Sequence, residues 1–189
     1  MSIKVIDNLL TPSYHEALCN IMLGEEFDWY FLPNTTFADR GTDMSFRHMF
    51  YSDGAYTASP MAKFISPFIF HLSDAGQVPH VCLLRCKANL TFRATDQSED
   101  MIPHVDYIHP NLSMIYYLHD CDGDTIVYNE TVDDFDGNHV PETDRLTVLD
   151  RVQPKANRLI IFNGNKFHTG LLPKESSRRI VINANFNRG

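Results

Sequence analysis

Two histidines and one aspartate in this 189-residue chain have types and a spacing that could hold a metal ion. His104 and Asp106 form a His-x-Asp motif, and His168 ends the later segment Asn-Arg-Leu-Ile-Ile-Phe-Asn-Gly-Asn-Lys-Phe-His. Two imidazoles and one carboxylate can occupy one triangular face of an octahedral iron(II), which leaves three positions open for substrate and oxygen. Residues 104 and 106 project to the same face of an extended segment, so both can reach one ion. The pattern predicts a metal site formed by His104, Asp106 and His168.

The elements around these residues predict a mostly β, α+β fold with helices at its N-terminus. Helix start signals open one segment from Thr11-Pro12 to Gly24 and another from Ser59-Pro60 to about residue 72. Later, short apolar segments alternate with Asp, Asn, Gly and Pro, and they lie at about 80–93, 102–106, 112–119, 125–128, 145–150, 158–162, 167–172 and 178–186. Eight short strands after two helices are typical of a jelly-roll barrel with the helices packed on one sheet.

Length and composition indicate a single domain. A chain of 189 residues with 43% hydrophobic content can bury one core but is short for two. We expect an N-terminal support of helices and strands over about 1–78 and a jelly-roll core over about 79–187. The acidic segment 129–141 is expected to be a surface loop, and near the barrel mouth it would favour a neutral or basic substrate.

The charge and the N-terminus restrict the partners. A formal net charge of −8 and a pI near 5.5 disfavour nucleic acid, because nucleic-acid-binding domains carry clustered Lys and Arg. Lys4 and Asp7 interrupt any signal-peptide core, and no apolar stretch approaches the length of a membrane span. The four cysteines lack C-x-x-C spacing, which is typical of thiols in a reducing compartment. We therefore expect a soluble, cytoplasmic protein without a membrane partner, and the oligomeric state stays open.

Five segments together resemble the catalytic core of the iron(II)- and 2-oxoglutarate-dependent dioxygenases, in particular the prolyl-4-hydroxylase-like branch. In family order they are Ile-Pro-His-Val-Asp, Leu-Ser-Met-Ile-Tyr-Tyr-Leu, Asp-Gly-Asp-Thr-Ile-Val-Tyr, Asn-Arg-Leu-Ile-Ile-Phe-Asn-Gly-Asn-Lys-Phe-His-Thr-Gly and Arg-Arg-Ile-Val-Ile-Asn-Ala-Asn-Phe. They cover roughly residues 80–186. The last segment lacks the Arg-x-Asn-x-Thr-x-Arg pattern of the nucleic-acid demethylase branch, in agreement with the charge.

The resemblance implies a double-stranded β-helix with iron(II) at its open end, 2-oxoglutarate and O2 as cosubstrates, and ascorbate as a possible reductant. It implies hydroxylation of a C–H bond coupled to decarboxylation of 2-oxoglutarate to succinate. Peptidyl proline is the first expected substrate, and a free amino acid or another small molecule is the alternative. A basic residue on the last strand would bind the C5 carboxylate of 2-oxoglutarate, and Arg179 has the donor fork for that task. Tyr117 matches a position whose hydroxyl helps to hold this carboxylate, with a core tyrosine as the alternative.

Side-chain alternation along the last strand separates its two arginines. Arg178 shares a face with apolar residues that suit packing against helices, whereas Arg179 shares a face with Val181, Asn183 and Asn185. We therefore expect Arg179 to point into the barrel and Arg178 to lie at its outer edge.

Two readings from other classes remain open. A zinc hydrolase could also use two histidines and an aspartate with an open position, although it would have no use for Arg179. A non-catalytic jelly-roll binding module would tolerate an empty site.

Overall fold

Two facing β-sheets and two helices make up the computed structural model, which describes residues 2–33, 45–95, 101–135 and 143–188. The strands are β1 Lys4–Asp7, β2 Tyr30–Leu32, β3 Ser45–Ser52, β4 Ala55–Tyr56, β5 Leu83–Phe92, β6 Asn111–Tyr117, β7 Thr125–Thr131, β8 Val148–Val152, β9 Arg158–Asn163, β10 Lys166–Gly170 and β11 Arg178–Asn187. The large sheet has the order β1-β9-β6-β11-β5-β3-β2, with β4 paired to β3, and the small sheet has the order β10-β7-β8. Neighbouring strands are antiparallel in both sheets.

The two helices lie on the outer face of the large sheet. Helix α1 spans Pro12–Met22, with proline in its first turn, and α2 spans Ala62–Gly76 and ends at Gln77 in the left-handed conformation. One core cluster joins apolar residues of both helices to the large sheet, among them Leu18, Met22, Ile65, Phe68, Leu72, Met114, Tyr116, Ile182 and Phe186. None of the helices in the described residues is long and apolar enough to cross a membrane.

A second core lies between the two sheets. It contains Ile115, Tyr117, Val127, Val152, Ile160, Phe162 and Val181. Because side chains alternate along a strand, β6 sends Met114 and Tyr116 toward the helices and Ile115 and Tyr117 toward the small sheet. Strand β6 of the large sheet is thus buried on both faces. The prediction of a mostly β jelly roll is confirmed.

Several local predictions differ from the structure. The segment 102–106 was expected to be a strand, but it contributes only an isolated bridge between His104 and His168. Pro103 lacks the N–H that a regular ladder would need there. Strands were expected in the N-terminal support, but without bounds; the structure has four there, β1 to β4, of which β3 is eight residues long.

The acidic segment 129–141 begins with regular secondary structure and not with an irregular loop. Strand β7 continues to Thr131, and a 3-10 turn follows over Val132–Phe135. The Asp134 carboxylate accepts hydrogen bonds from the Thr131 backbone N–H and hydroxyl at 2.7 and 3.0 Å, which stabilises this turn. Residues 136–141 of the segment lie outside the described residues.

Candidate active site

The His104–His168 bridge brings the ends of two segments together at the mouth between the sheets. The backbone N–H of each histidine donates to the carbonyl oxygen of the other at 3.0 Å. Asp106 follows His104 by two residues, so its side chain points to the same side. The candidate ligand atoms of His104, Asp106 and His168 all lie within 4.8 Å of one another. The backbone pairing therefore assembles the predicted triad from positions 62 to 64 residues apart in the chain.

Both imidazoles present an unprotonated nitrogen to the centre of the triad. Nδ1 of His104 lies 3.0 Å from the Ile102 carbonyl oxygen, and Nδ1 of His168 lies 3.2 Å from that of Lys166. A carbonyl only accepts, so each Nδ1 carries the proton and each Nε2 has a free lone pair. The buried Nε2 of His168 has no hydrogen-bond partner in the described part of the chain. A metal ion would satisfy this atom, whose isolation is otherwise unfavourable.

The electrostatic surroundings keep the histidines neutral. Burial, together with the neighbouring His168, lowers the pKa of His104 from 6.5 to about 4. Burial also lowers the pKa of His168, although the Asp106 carboxylate opposes this shift. Neutral imidazole is the form that binds a metal ion.

Asp106 is a fully hydrogen-bonded carboxylate. Its Oδ1 accepts from Nη2 of Arg85 at 2.5 Å, and its Oδ2 accepts from the amides of Asn183 and Asn185 at 3.1 Å. Burial opposes ionisation, but the charges of Arg85 and Lys87 hold the pKa of the Asp106 carboxyl well below its usual range. Oδ2 lies 3.7 Å from Nε2 of His168, so this oxygen faces the centre of the triad while Oδ1 is held by Arg85.

A cavity of about 340 Å³ opens beside the triad. Five buried side-chain N or O atoms in the described ranges lack a hydrogen-bond partner, and four of them belong to residues that line this cavity: Arg85 Nε, Thr91 Oγ1, His168 Nε2 and Asn183 Oδ1. Buried polar groups in folded proteins are nearly always satisfied, so a cluster of exceptions in one cavity indicates a ligand site.

Arg179 lines the same cavity and is held by neutral oxygens. Its Nε donates to the Gly123 carbonyl and its Nη2 to the Thr125 hydroxyl, both at 2.8 Å. No carboxylate of the described chain forms an ion pair with it. Burial lowers the pKa of the guanidinium, which nevertheless stays charged. A Cβ atom at Gly170 would lie 2.9 Å from Nη1 of Arg179, so the absence of a side chain there makes room for the arginine. Arg178 is exposed.

Tyr117 lies one layer behind Arg179 and does not line the cavity. Its side chain is fully buried, and its hydroxyl donates to the Thr125 Oγ1 at 2.7 Å, the atom that also accepts from Arg179. Burial raises the pKa of Tyr117 to about 12, so the hydroxyl stays a donor. Tyr117 therefore contacts Thr125, which holds Arg179, and has no direct access to the cavity.

Four polar residues of β5 line the cavity without having been singled out from the sequence: Arg85, Lys87, Asn89 and Thr91. They alternate with the buried apolar residues Cys86, Ala88 and Leu90. This alternation was visible in the sequence, but polar residues on one face of a strand usually indicate a solvent-facing surface. Only the placement of β5 next to β11 reveals that this face borders the cavity.

The match to a protein family agrees with this site. The model of the 2OG-Fe(II) oxygenase superfamily matches residues 90–187, just over half of the chain and all three residues of the triad. The chain belongs to the 2OG-Fe(II) oxygenase superfamily, whose members are oxidoreductases named for iron(II) and 2-oxoglutarate. No curated protein has a sequence that matches this chain.

Solved structures with the same fold extend over nearly the whole chain. A 2OG-Fe(II) oxygenase family oxidoreductase from Burkholderia pseudomallei has a TM-score of 0.67 at 11% identity, with 100% of this chain and 86% of the other covered. A prolyl-4-hydroxylase from Pseudomonas putida has a TM-score of 0.60 at 13% identity, with coverages of 99% and 93%. SnoN, an alpha ketoglutarate-dependent epimerase from nogalamycin biosynthesis, has a TM-score of 0.63 at 10% identity, with coverages of 98% and 78%. At these identities the likeness concerns the fold.

Proposed function

We propose that this chain is an iron(II)- and 2-oxoglutarate-dependent hydroxylase in which His104, Asp106 and His168 bind the metal. One observation carries the proposal: a buried imidazole nitrogen and an ionised carboxylate face each other in a cavity that also contains a buried arginine. Within the ranges that the structure describes, the imidazole nitrogen has no hydrogen-bond partner and the arginine has no carboxylate partner. The first two groups suit iron(II), and the arginine suits a carboxylate of 2-oxoglutarate.

Bound iron(II) supplies the chemistry of the family, in which O2 oxidises 2-oxoglutarate to succinate and CO2 while a substrate C–H bond is hydroxylated. The protein's residues bind and orient. Arg85 holds Oδ1 of Asp106, and Oδ2, which accepts from Asn183 and Asn185 and faces the centre of the triad, would coordinate the metal. Arg179 binds the C5 carboxylate of 2-oxoglutarate, and Tyr117 and Thr125 fix the guanidinium by a hydrogen-bond chain. Ascorbate is proposed as the reductant that keeps the iron in its divalent state.

The primary substrate is proposed to be a proline-containing peptide or a small carboxylic acid such as a free amino acid. The sequence resemblance to the prolyl-4-hydroxylase-like branch supports the first. The cationic lining of the cavity by Arg85 and Lys87 supports the second. We further propose a reducing, cytoplasmic location, which the four free cysteines support.

Succinate formation tests the proposal. Purified protein reconstituted with iron(II) should convert 2-oxoglutarate to succinate only in the presence of O2, and His168→Ala should lower this turnover at least about a thousandfold, because one of three metal ligands is lost. The matched control is His109→Ala, which removes an exposed histidine near the same motif and should retain full turnover.

The same assay separates the rival classes. A zinc hydrolase or a non-catalytic binding module would form no succinate, with or without iron. Iron-dependent turnover that survives in His168→Ala would show that the ligand assignment is wrong.

A further inference from the structure

The cavity has two cationic ends. In the pairing of β11 with β5, Arg179 lies opposite Thr91, and Asn183 lies opposite Lys87. Four residues along the strands therefore separate the two positions, a distance of about 13 Å at about 3.3 Å per residue. Arg85, which binds Asp106, lies two residues beyond Lys87 on the same face of β5. Lys87 thus belongs to the end of the cavity that contains the triad.

Among the described residues, Lys87 has no partner for its charge. In the described parts of the chain, its ammonium group makes no hydrogen bond or ion pair, although its side chain lines the cavity. Its charged neighbours are Arg85, Arg47 and Asp106, and the Asp106 oxygens are already bound by Arg85 and two asparagines. A cation that is partly buried without a counter-ion is unfavourable unless a ligand supplies one.

The charges that line the cavity sum to a positive value. Arg85, Lys87 and Arg179 are cations, and Asp106 is the one carboxylate among the lining residues of the described ranges. Iron(II) and 2-oxoglutarate, which carry opposite charges of equal size, would leave this sum positive when bound, so an anionic group is favoured beside Lys87. This is opposite to the preference for a neutral or basic substrate that the acidic segment suggested.

Asn183, opposite Lys87, adds a second requirement for the ligand, which is a hydrogen-bond donor. Its Nδ2 donates to Asp106, which fixes its Oδ1 as the free end, and this buried oxygen has no hydrogen-bond partner among the residues that the structure describes. Side chains directly opposite on paired strands have Cβ atoms about 5 Å apart. A cation and a free acceptor at this separation match a ligand that carries a carboxylate next to an N–H or O–H donor.

Building on the proposed function, we propose that Lys87 and Asn183 form a subsite for the primary substrate, in which Lys87 binds a carboxylate and Asn183 accepts from an adjacent amine or hydroxyl. The substrate class is a free amino acid or a similar small carboxylic acid. The C1 carboxylate of 2-oxoglutarate has the same chemistry, so the experiment must separate the two sources.

Calorimetric titrations under anaerobic conditions provide the test. The enzyme is first loaded with iron(II) and titrated with 2-oxoglutarate, and the loaded complex is then titrated with the common L-amino acids and with their carboxamides. At least one amino acid should bind, and its carboxamide should bind about ten- to a hundredfold more weakly, as expected for loss of a charge-assisted hydrogen bond. Lys87→Met should abolish this difference and leave the Kd for 2-oxoglutarate within about twofold.

Two further variants serve as controls for the effect of the Lys87 charge. Lys87→Arg retains the charge and should restore discrimination between acid and amide, which a loss of packing alone would not explain. Arg178→Gln removes an exposed cation of the neighbouring strand β11 and should leave both titrations unchanged. Thermal unfolding of each variant establishes that it is folded at the titration temperature.

Several outcomes would overturn the proposal. They are an enzyme that binds 2-oxoglutarate but no amino acid, carboxamides that bind as well as the acids, and Lys87→Met that still discriminates. A tenfold or larger loss of 2-oxoglutarate affinity in Lys87→Met would assign the subsite to the C1 carboxylate instead. Absence of 2-oxoglutarate binding to the wild-type protein would overturn the proposed function itself.

Discussion

Two largely buried arginines of one cavity, Arg85 and Arg179, differ in their partners. Arg85 donates to the Asp106 carboxylate at 2.5 Å, and its side chain is 18% exposed. Arg179 is 7% exposed and donates only to the neutral oxygens of Gly123 and Thr125. The charge of Arg85 is balanced within the protein, whereas that of Arg179 has no carboxylate partner among the described residues.

This difference separates a structural charge from a binding charge. Arg85 orients a proposed metal ligand and would be needed even in the absence of substrate. Arg179 is held in place by neutral acceptors, which fix its direction without neutralising it, so its charge stays available for a carboxylate. Loss of Arg179 should therefore affect ligand affinity, and loss of Arg85 should affect the stability of the metal-free protein.

The largest expected effect is on 2-oxoglutarate affinity. Arg179→Ala should weaken binding of 2-oxoglutarate at least about a hundredfold, since truncating one partner of a buried charge pair costs about 3–5 kcal/mol. Arg178→Ala, its exposed neighbour, should change the Kd little. Anaerobic titrations with iron(II) present measure both values. The reverse ranking would mean that Arg178 and not Arg179 serves the cosubstrate.

The placement of Arg179 illustrates which features of the site could be predicted from the sequence. Alternation along one strand, together with the residue types, was enough to assign Arg179 to the cavity and Arg178 to the surface. The triad was found in the same way, because two histidines and an aspartate can bind a metal ion whatever the order of the strands in the sheet. These features depend on local geometry and on residue type.

Features that depend on strand register could not be predicted. The contact of Arg85 with Asp106 requires β5 to lie near the segment that contains Asp106, and no local pattern in either segment encodes that neighbour. Tyr117 was assigned to the cosubstrate or to the core, and only the position of Thr125 between it and Arg179 distinguishes a supporting role from direct contact. The short N-terminal strands β1 and β2 have exposed or half-exposed residues and offer little apolar alternation to detect.

The next effect concerns the stability of the metal-free protein. Arg85→Met should lower the free energy of unfolding by about 3 kcal/mol, because Asp106 is left buried with a weaker cationic environment. Iron(II) should reduce this loss by supplying positive charge to the same carboxylate. The matched control is Arg151→Met, which breaks the exposed pair with Asp124 and should cost less than about 1 kcal/mol. Urea unfolding with chelator and with iron(II) measures both; equal losses in the two variants would contradict a structural role for Arg85.

A smaller effect follows from the neutral histidines. The pKa of His104 is lowered to about 4 in the folded protein from its ordinary value of 6.5, so the unfolded chain binds more protons between these values. The contribution of this group to the free energy of unfolding of the metal-free protein should therefore be complete above about pH 6.5, and about 2 kcal/mol of it should be lost by about pH 5. Replacement of His104 by Gln should flatten the pH dependence in urea unfolding, whereas His109→Gln should not. An unchanged slope in His104→Gln would argue against a buried neutral imidazole.

The smallest expected effect concerns Lys87, whose loss should stabilise the ligand-free protein, whereas loss of Arg85 should destabilise it. Burial, and repulsion from Arg85, lower the pKa of Lys87 from 10.5 to about 8, so the folded protein binds this proton less tightly than the unfolded chain does. Protonated Lys87 therefore destabilises the ligand-free protein at neutral pH, and the penalty should disappear as the pH rises from about 8 toward 10.5. Lys87→Met, which keeps the length of the side chain and removes the charge, should raise the Tm of the ligand-free protein at pH 7 by about 2–4 °C, the shift that corresponds to about 1 kcal/mol in a chain of this size. The gain should shrink at pH 10, because the wild-type lysine is then largely neutral in the folded state.

Calorimetric scans at the two pH values measure the difference, with Arg178→Gln as the exposed control. A lower Tm for Lys87→Met at pH 7 would mean that Lys87 has a stabilising partner in the folded protein, and its charge, like that of Arg85, would then be structural.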